Sequence, residues 1–237
     1  MLSRSESKYI QTLSHKKQRE LEGLFIVEGP KIATEVLNSH FVVRKIYATM
    51  SWIANNTAIA DVVEVSEDEL QKISNLQTAN QVLVIVEKPT MKPKTESTVI
   101  IVLDGIQDPG NFGTIIRIAD WFGVNNIVCS EDCVELYNPK VIQSTMGSFI
   151  RTQVDYVDLK TWFSTNKIPV YGALLNGKNI KEFGKIDKGV IIIGNESKGV
   201  RQNILPFIQH AISIERVGQA ESLNASVATG IILSHIL

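Results

Sequence analysis

Apolar residues along this chain fall into two alternating patterns, short continuous runs and segments with helical spacing. In the first third, LFIVEG (24–29), VVRKIYA (42–48), VVEVS (62–66) and QVLVIVE (81–87) read as strands. Helices are predicted over 7–20, where Ile10 and Leu13 form a stripe and Gly23 is the stop, over KIATEVLN with Pro30 at its first position, and over SWIANN and EDELQKI. From residue 99 the strands are VIIVL, NNIVC, RTQVDYV, PVYGALL, GVIIIGNE and AISIE. Between them lie helical segments after Asn111, from Pro139, near Trp162, a short turn at ILPFI, and the last segment of the chain. The run VIIVL (99–103) is too short for a helix and rich in β-branched residues, which marks a strand buried on both faces. Such alternation predicts an α/β protein: a small α/β sandwich over 1–88, and a parallel sheet with helices on both faces over 99–237. Between them KPTMKPKTEST (88–98), with two prolines, several lysines and no apolar periodicity, reads as a linker covering 89–98.

The stretch VIIVLDGIQDPGNFGTIIRIADWFG (99–123) organises the larger part. A buried strand breaks into a polar loop, Asn111 stands where a helix N-cap belongs, and Gly123 takes the C′ position. Phe112, Ile115, Ile116, Ile118, Ala119, Trp121 and Phe122 wrap most of the helix in apolar surface, leaving a narrow polar strip of Gly113, Arg117 and Asp120. An arginine on that strip, just behind a loop at the carboxyl end of a strand, stands where open α/β sheets bind ligands. The strip is equally compatible with a structural Arg117–Asp120 ion pair.

At 237 residues, 44% apolar and 21% charged, the chain has the composition of a soluble globular protein. Its start, MLSRSESKYIQ, is polar, and no apolar run is long enough to span a bilayer, so no membrane is expected and a cytoplasmic location is the default. Cys129 and Cys133 lack a second Cys or His cluster, which predicts reduced structural thiols rather than a metal site. A net charge of −1 provides no global attraction for a polyanion. Two local basic groups do exist: Lys8, His15, Lys16, Lys17 and Arg19, and Lys88, Lys92 and Lys94. No GxGxxG follows any strand, which disfavours a nicotinamide-binding domain.

Three motifs, LDGIQDPGNFGTIIRIAD, IIIGNESKGV (191–200) and ESLNASVATGIIL (221–233), stand in the order and at the spacing of the SpoU (TrmH-like) RNA ribose 2′-O-methyltransferases, and the chain resembles that family. KKQRELEGLFIVEG resembles the start of the L30e-like substrate-binding domain that many members carry in front. The resemblance implies a knotted SPOUT catalytic domain with a trefoil knot, S-adenosylmethionine (SAM) as cofactor, a homodimer whose site borrows residues across the interface, and no metal. It implies cofactor contacts from Leu174, Gly194, Asn195, Glu196, Ile214, Ser222, Leu223 and Asn224, with Ser222 able to cap the last helix. It implies catalytic roles for Arg117, Asn111 and Glu196, and RNA contacts from Lys16, Lys17, Arg19 and Arg117. Because a guanidinium is effectively never deprotonated, Arg117 is expected to grip phosphate and stabilise charge rather than act as a base. Where the family usually has Ile-Pro, this chain has Ile214-Glu215, which places a carboxylate near the expected adenine edge. The two-domain layout favours ribosomal RNA as substrate. The alternatives are transfer RNA, or an RNA-binding protein of this fold without activity.

Overall fold

The computed structural model describes residues 2–89 and 98–237. The predicted linker, with Lys92 and Lys94, lies almost wholly outside them. By contact the chain divides into two compact units, Met1–Lys92 with Glu135–Ile150, and Pro93–Val134 with Arg151–Leu237.

In the first unit, β1 (Leu24–Glu28), β2 (Val43–Ala48), β3 (Val62–Glu64) and β4 (Val82–Glu87) form one sheet in the order β1-β4-β2-β3. β4 runs antiparallel to β1 and β2, and β3 is parallel to β2. The single helix expected over 7–20 is two helices, α1 (Arg4–Thr12) and α2 (Lys16–Glu22). Arg19 is the reason. Its Nη1 donates to the carbonyls of Leu13 (2.9 Å) and Ser14 (2.6 Å), satisfying acceptors that a continuous helix would have used. Helices α3 (Pro30–Leu37), α4 (Met50–Ala54) and α5 (Glu67–Ile73) follow where the pattern predicts, and a reciprocal capping box between Ser66 and Glu69 starts α5.

The segment Glu135–Ile150 packs with this unit although it lies far along the sequence. It carries α7 (Pro139–Thr145) and brings Tyr137 and Phe149 onto Phe25, with ring centroids 4.6 and 5.9 Å apart. Glu135 meets Arg19 Nη2 at 2.5 Å and Lys88 Nζ at 2.9 Å. Burial alone would raise the Glu135 pKa, but the hydrogen bonds and charges of Arg19 and Lys88 outweigh it and hold that carboxyl below the usual glutamate range.

The second unit holds six parallel strands in the order β10-β8-β9-β5-β6-β7. They are β5 (Val99–Asp104), β6 (Asn126–Ser130), β7 (Gln153–Val157), β8 (Val170–Asn179), β9 (Gly189–Gly194) and β10 (His210–Ser213). Strand order reverses between β5 and β9, whose ends Asp104 and Gly194 sit opposite each other in register, so their loops emerge side by side from a topological switch point. Helices α6 (Pro109–Trp121), α8 (Leu159–Thr165) and α9 (Ala225–Ile236) complete the unit, with α9 against α6 and β9. A core of Val102, Val128, Phe163, Val190, Ile192 and neighbours backs the sheet.

Two features of α6 differ from expectation. Its N-cap is Asp108, whose Oδ1 accepts the Asn111 N–H at 2.7 Å, with Pro109 at the first helical position; Asn111 is therefore inside the first turn and its side chain is released for other work. The helix is also less enclosed than its apolar pattern suggests. Gly113 is buried, but Trp121 is 84% exposed.

Candidate active site

The loops after β5 and β9 and the start of α9 carry the three sequence motifs, and direct hydrogen bonds join them. Asn195 Nδ2 donates to the Gly105 carbonyl at 2.8 Å, Asn111 Nδ2 to Glu196 Oε1 at 2.6 Å, and Asn224 Nδ2 to Asn111 Oδ1 at 2.8 Å. The last two bonds form a chain with a fixed polarity. Asn224 is the N-cap of α9, and its Oδ1 accepts from Ser226 N–H (2.9 Å), Ser226 Oγ (2.6 Å) and Val227 N–H (3.3 Å). That cap dictates which end of the amide is oxygen, so Nδ2 must face Asn111, Asn111 must present Oδ1 in return, and its own Nδ2 is aimed at Glu196. Glu196 is thereby used as an acceptor on one oxygen. Ser222, expected as a possible cap, is exposed and displaced from that role by Asn224.

Arg117 stands on the same helix as Asn111, about 9 Å further along its axis and about 120° round it. It is exposed, and among the described residues it has no hydrogen bond or ion pair. The alternative of an Arg117–Asp120 pair is removed, because Asp120 takes the guanidinium of Arg151, Nε at 3.1 and 3.0 Å and Nη2 at 2.8 Å. The structure thus joins Asn111, Glu196 and Asn224 but leaves Arg117 unattached to them.

Of the remaining expected cofactor contacts, Leu174 and Ile214 are half-buried, and Leu223 is an exposed apolar side chain just ahead of α9. From Glu215 to Leu223 the chain is exposed and outside any helix or strand, where it joins β10 to α9. Accessible peptide groups flanked by the aliphatic side chains of Ile214 and Leu223 suit a purine held edge-on by backbone and face-on by methyl groups, so this segment fits the adenosine of SAM. Gly194 admits no side chain, since a Cβ there would lie 2.3 Å from the Gly199 carbonyl carbon. Glu215 does not remain a bare carboxylate. Lys181 Nζ bonds it at 2.8 Å and that bond, with the lysine's charge, lowers its pKa.

In the first unit the structure corrects one expected RNA contact. Arg19 is 1% exposed and committed to Glu135, so it cannot reach a phosphate. Lys16 and Lys17 are exposed; Lys16 lies 3.7 Å from Glu20.

Sequence reasoning missed several residues. Arg201 pairs with the buried Asp104, and only the position of Asp104 at the end of an apolar run hinted that it needs a partner. Gly177 lies so close to β10 that a Cβ would stand 2.5 Å from the Ile212 backbone. Strand pairing there jumps from Ala211↔Gly172 to Ile212↔Lys178, leaving the intervening β8 residues, Leu174 among them, outside the ladder. Both cysteines are buried thiols outside any disulfide; the Ile106 N–H donates to Cys133 Sγ at 3.2 Å. Among the described residues no group of three His, Cys, Asp or Glu side chains is placed to hold a metal, and no helix is long and apolar enough to cross a membrane.

A switch-point site built from three motif loops on a six-stranded parallel sheet, preceded by a small α/β unit, defines a class of two-domain α/β proteins, and comparison with known proteins places the chain within it. Residues 98–234 match the SpoU rRNA Methylase family and residues 5–84 an MRM3-like substrate binding domain. The chain belongs to the SpoU rRNA methylase family. It is 31% identical over 235 residues to the 23S rRNA (guanosine(2553)-2′-O)-methyltransferase RlmP of Bacillus subtilis, covering 94% of this chain and 92% of that protein. Among solved structures, a TrmH-family protein from Porphyromonas gingivalis superposes with a TM-score of 0.86 at 30% identity, over 99% of this chain and 98% of the other. An AdoMet-bound rRNA methyltransferase from Sinorhizobium meliloti gives 0.85 at 26% identity, over 99% and 95%.

Proposed function

We propose that this protein is a SAM-dependent RNA 2′-O-ribose methyltransferase acting on ribosomal RNA, as a homodimer in the cytoplasm. The observation that carries the reading is the hydrogen-bonded chain Glu196–Asn111–Asn224, which draws one residue from each family motif into a single site. The relatives named for rRNA methylation support the substrate class.

The reaction joins the ribose 2′-oxygen to a methyl carbon, breaks that carbon's bond to sulfur and releases the hydroxyl proton. SAM supplies an electrophilic methyl group, so alignment contributes much of the acceleration. The peptide groups from Glu215 to Leu223, with Leu174, Ile214, Leu223 and the Gly194–Asn195 backbone, would hold the adenosine; Ser222 would offer its hydroxyl to the cofactor or to Glu196. Arg117 grips the phosphate beside the target ribose and stabilises negative charge on the 2′-oxygen. Asn111 and Glu196 orient the ribose. Arg117 shares a face of α6 with the exposed Trp121 four residues on, and Val227 of the neighbouring α9 is half-exposed, a surface suited to a second copy that receives Arg117 in its own site. The small α/β unit, with Lys16 and Lys17 exposed, recruits the RNA. The bond from the Ile186 N–H to the Ile236 carbonyl at 2.9 Å, which ties the end of α9 to the segment ahead of β9, supports a knotted passage near the last helix.

The test is transfer of labelled methyl from SAM to bulk ribosomal and transfer RNA, followed by mapping of 2′-O-methyl positions. Label in ribosomal RNA is expected. Label confined to transfer RNA moves the substrate class, and RNA binding with no label in either pool removes the enzyme.

A further inference from the structure

Asp104 ends β5 with its side chain sealed from solvent, and a carboxylate in such a place persists only with a partner. Arg201 supplies it twice over. Its backbone N–H donates to Asp104 Oδ2 at 2.8 Å, and its Nε and Nη2 both meet Oδ1 at 2.5 Å, with Nη2 also 3.4 Å from Asp132 Oδ1. The opposing carboxylates outweigh the effect of burial and raise the pKa of the guanidinium, which stays charged.

Between Gly194 and Arg201 the chain makes a tight excursion that turns back on itself. Asn195 N–H donates to the Gly199 carbonyl at 3.1 Å, Gly199 N–H to the Asn195 carbonyl at 2.8 Å, and Asn195 Oδ1 accepts the N–H groups of Ser197 and Lys198. Its outgoing strand is tied to the Gly105 carbonyl through Asn195 Nδ2, and its returning strand to Asp104 through Arg201. Two consecutive residues of the first motif loop therefore hold both feet of the excursion. Gly105 is itself fixed, its N–H donating to Ser130 Oγ at 2.9 Å. Glu196 sits inside the excursion, where the Asn111 amide reaches it.

We propose that Arg201 and Asp104 are positioning residues: their forked ion pair fixes the returning foot of the 195–199 loop, and through it holds Glu196 in register with Asn111. The consequence for catalysis rests on the methyltransferase reading, whereas the consequence for loop order does not.

The test uses the full chain and three variants: Arg201→Ala, Arg201→Lys and the neutral pair Asp104→Asn with Arg201→Gln. Amide hydrogen exchange at Asn195 and Gly199 reads the loop, the unfolding temperature reads the fold, and kcat against the KM for RNA reads the chemistry. Arg201→Ala is expected to lower the unfolding temperature, because a buried carboxylate loses its counter-charge and keeps only the backbone N–H of residue 201, and to speed exchange at both amides roughly tenfold or more once the side-chain clamp is gone. The neutral pair leaves no unpaired charge and is expected to recover the unfolding temperature, while exchange stays fast and kcat stays down by roughly tenfold or more with KM for RNA little changed. Arg201→Lys, which keeps the charge but not the fork, is expected to recover stability more fully than kcat. Recovery of exchange and kcat together with stability in the neutral pair overturns the proposal, as does wild-type exchange in Arg201→Ala. A wild-type protein that transfers no methyl group counts against the activity alone, and the clamp is then decided by exchange.

Discussion

Arg117 and Asn224 show two different ways in which a single side chain governs this site. Arg117 is exposed and uncommitted among the described residues, so replacing it removes no internal partner. Arg117→Ala is expected to cut methyl transfer by about 10²–10³-fold while leaving SAM affinity by calorimetry and the unfolding temperature unchanged. Arg117→Lys should fail as well, because an ammonium cannot reproduce the fork. Asn224 works through the polarity of its amide. Asn224→Asp retains an oxygen for the Ser226 and Val227 N–H groups, so α9 keeps its cap and stability should change by no more than about 0.5 kcal/mol. The new second oxygen faces Asn111 Oδ1, which forces the Asn111 amide to turn over and present its oxygen to Glu196. Activity is expected to collapse in this variant while thermal unfolding stays near wild type; unchanged turnover would show that the chain's polarity is irrelevant.

Among the elements, the segment Glu135–Ile150 is the least apparent from its place in the sequence. It interrupts the second unit, yet its Tyr137 and Phe149 complete the aromatic core around Phe25, and its Glu135 neutralises Arg19. Removing that carboxylate leaves a buried guanidinium unpaired, and Glu135→Ala is expected to cost about 3–5 kcal/mol by denaturant unfolding. The same group sets an acid limit. Because its pKa is lowered in the folded protein, its contribution is complete above the unfolded value of about 4.3 and is lost as pH falls through the folded value below it. Acid unfolding curves of wild type and Glu135→Gln should therefore draw together below about pH 4.3. Local patterns did announce the strands and most helices, since β-branched runs, Pro30 and Pro139 at first helical positions, and Gly123 after α6 all act within a few residues. The break between α1 and α2 was not announced, because Arg19 ends α1 with its side chain rather than with a breaker residue.

For the whole molecule, the exposed face of α6 is a feature that a single chain leaves unexplained. Trp121 costs solvation where it stands, and it shares that face with Arg117. Under the homodimer reading, Trp121→Glu is expected to convert a two-chain species into a one-chain species in sedimentation and to abolish methylation, while the variant's far-UV circular dichroism stays unchanged. A wild-type protein that sediments as one chain at micromolar concentration while fully active would end that reading.

What the sequence determined by itself was the set of parts: strands, most helices, the three motifs and the residue types that a 2′-O-methyl transfer requires, all written in spacings of a few residues. Tertiary structure alone decided which parts meet. Asn111 and Glu196 are 85 positions apart and Asn111 and Asn224 are 113 apart, and only the switch point between β5 and β9 brings their loops together. It also decided that Arg19 is a strut rather than an RNA contact, that Asn224 rather than Ser222 caps α9, and that Arg201 belongs to Asp104. A charge or an amide carries no mark in the sequence of whether it will be buried, and burial is what turns it into a structural obligation.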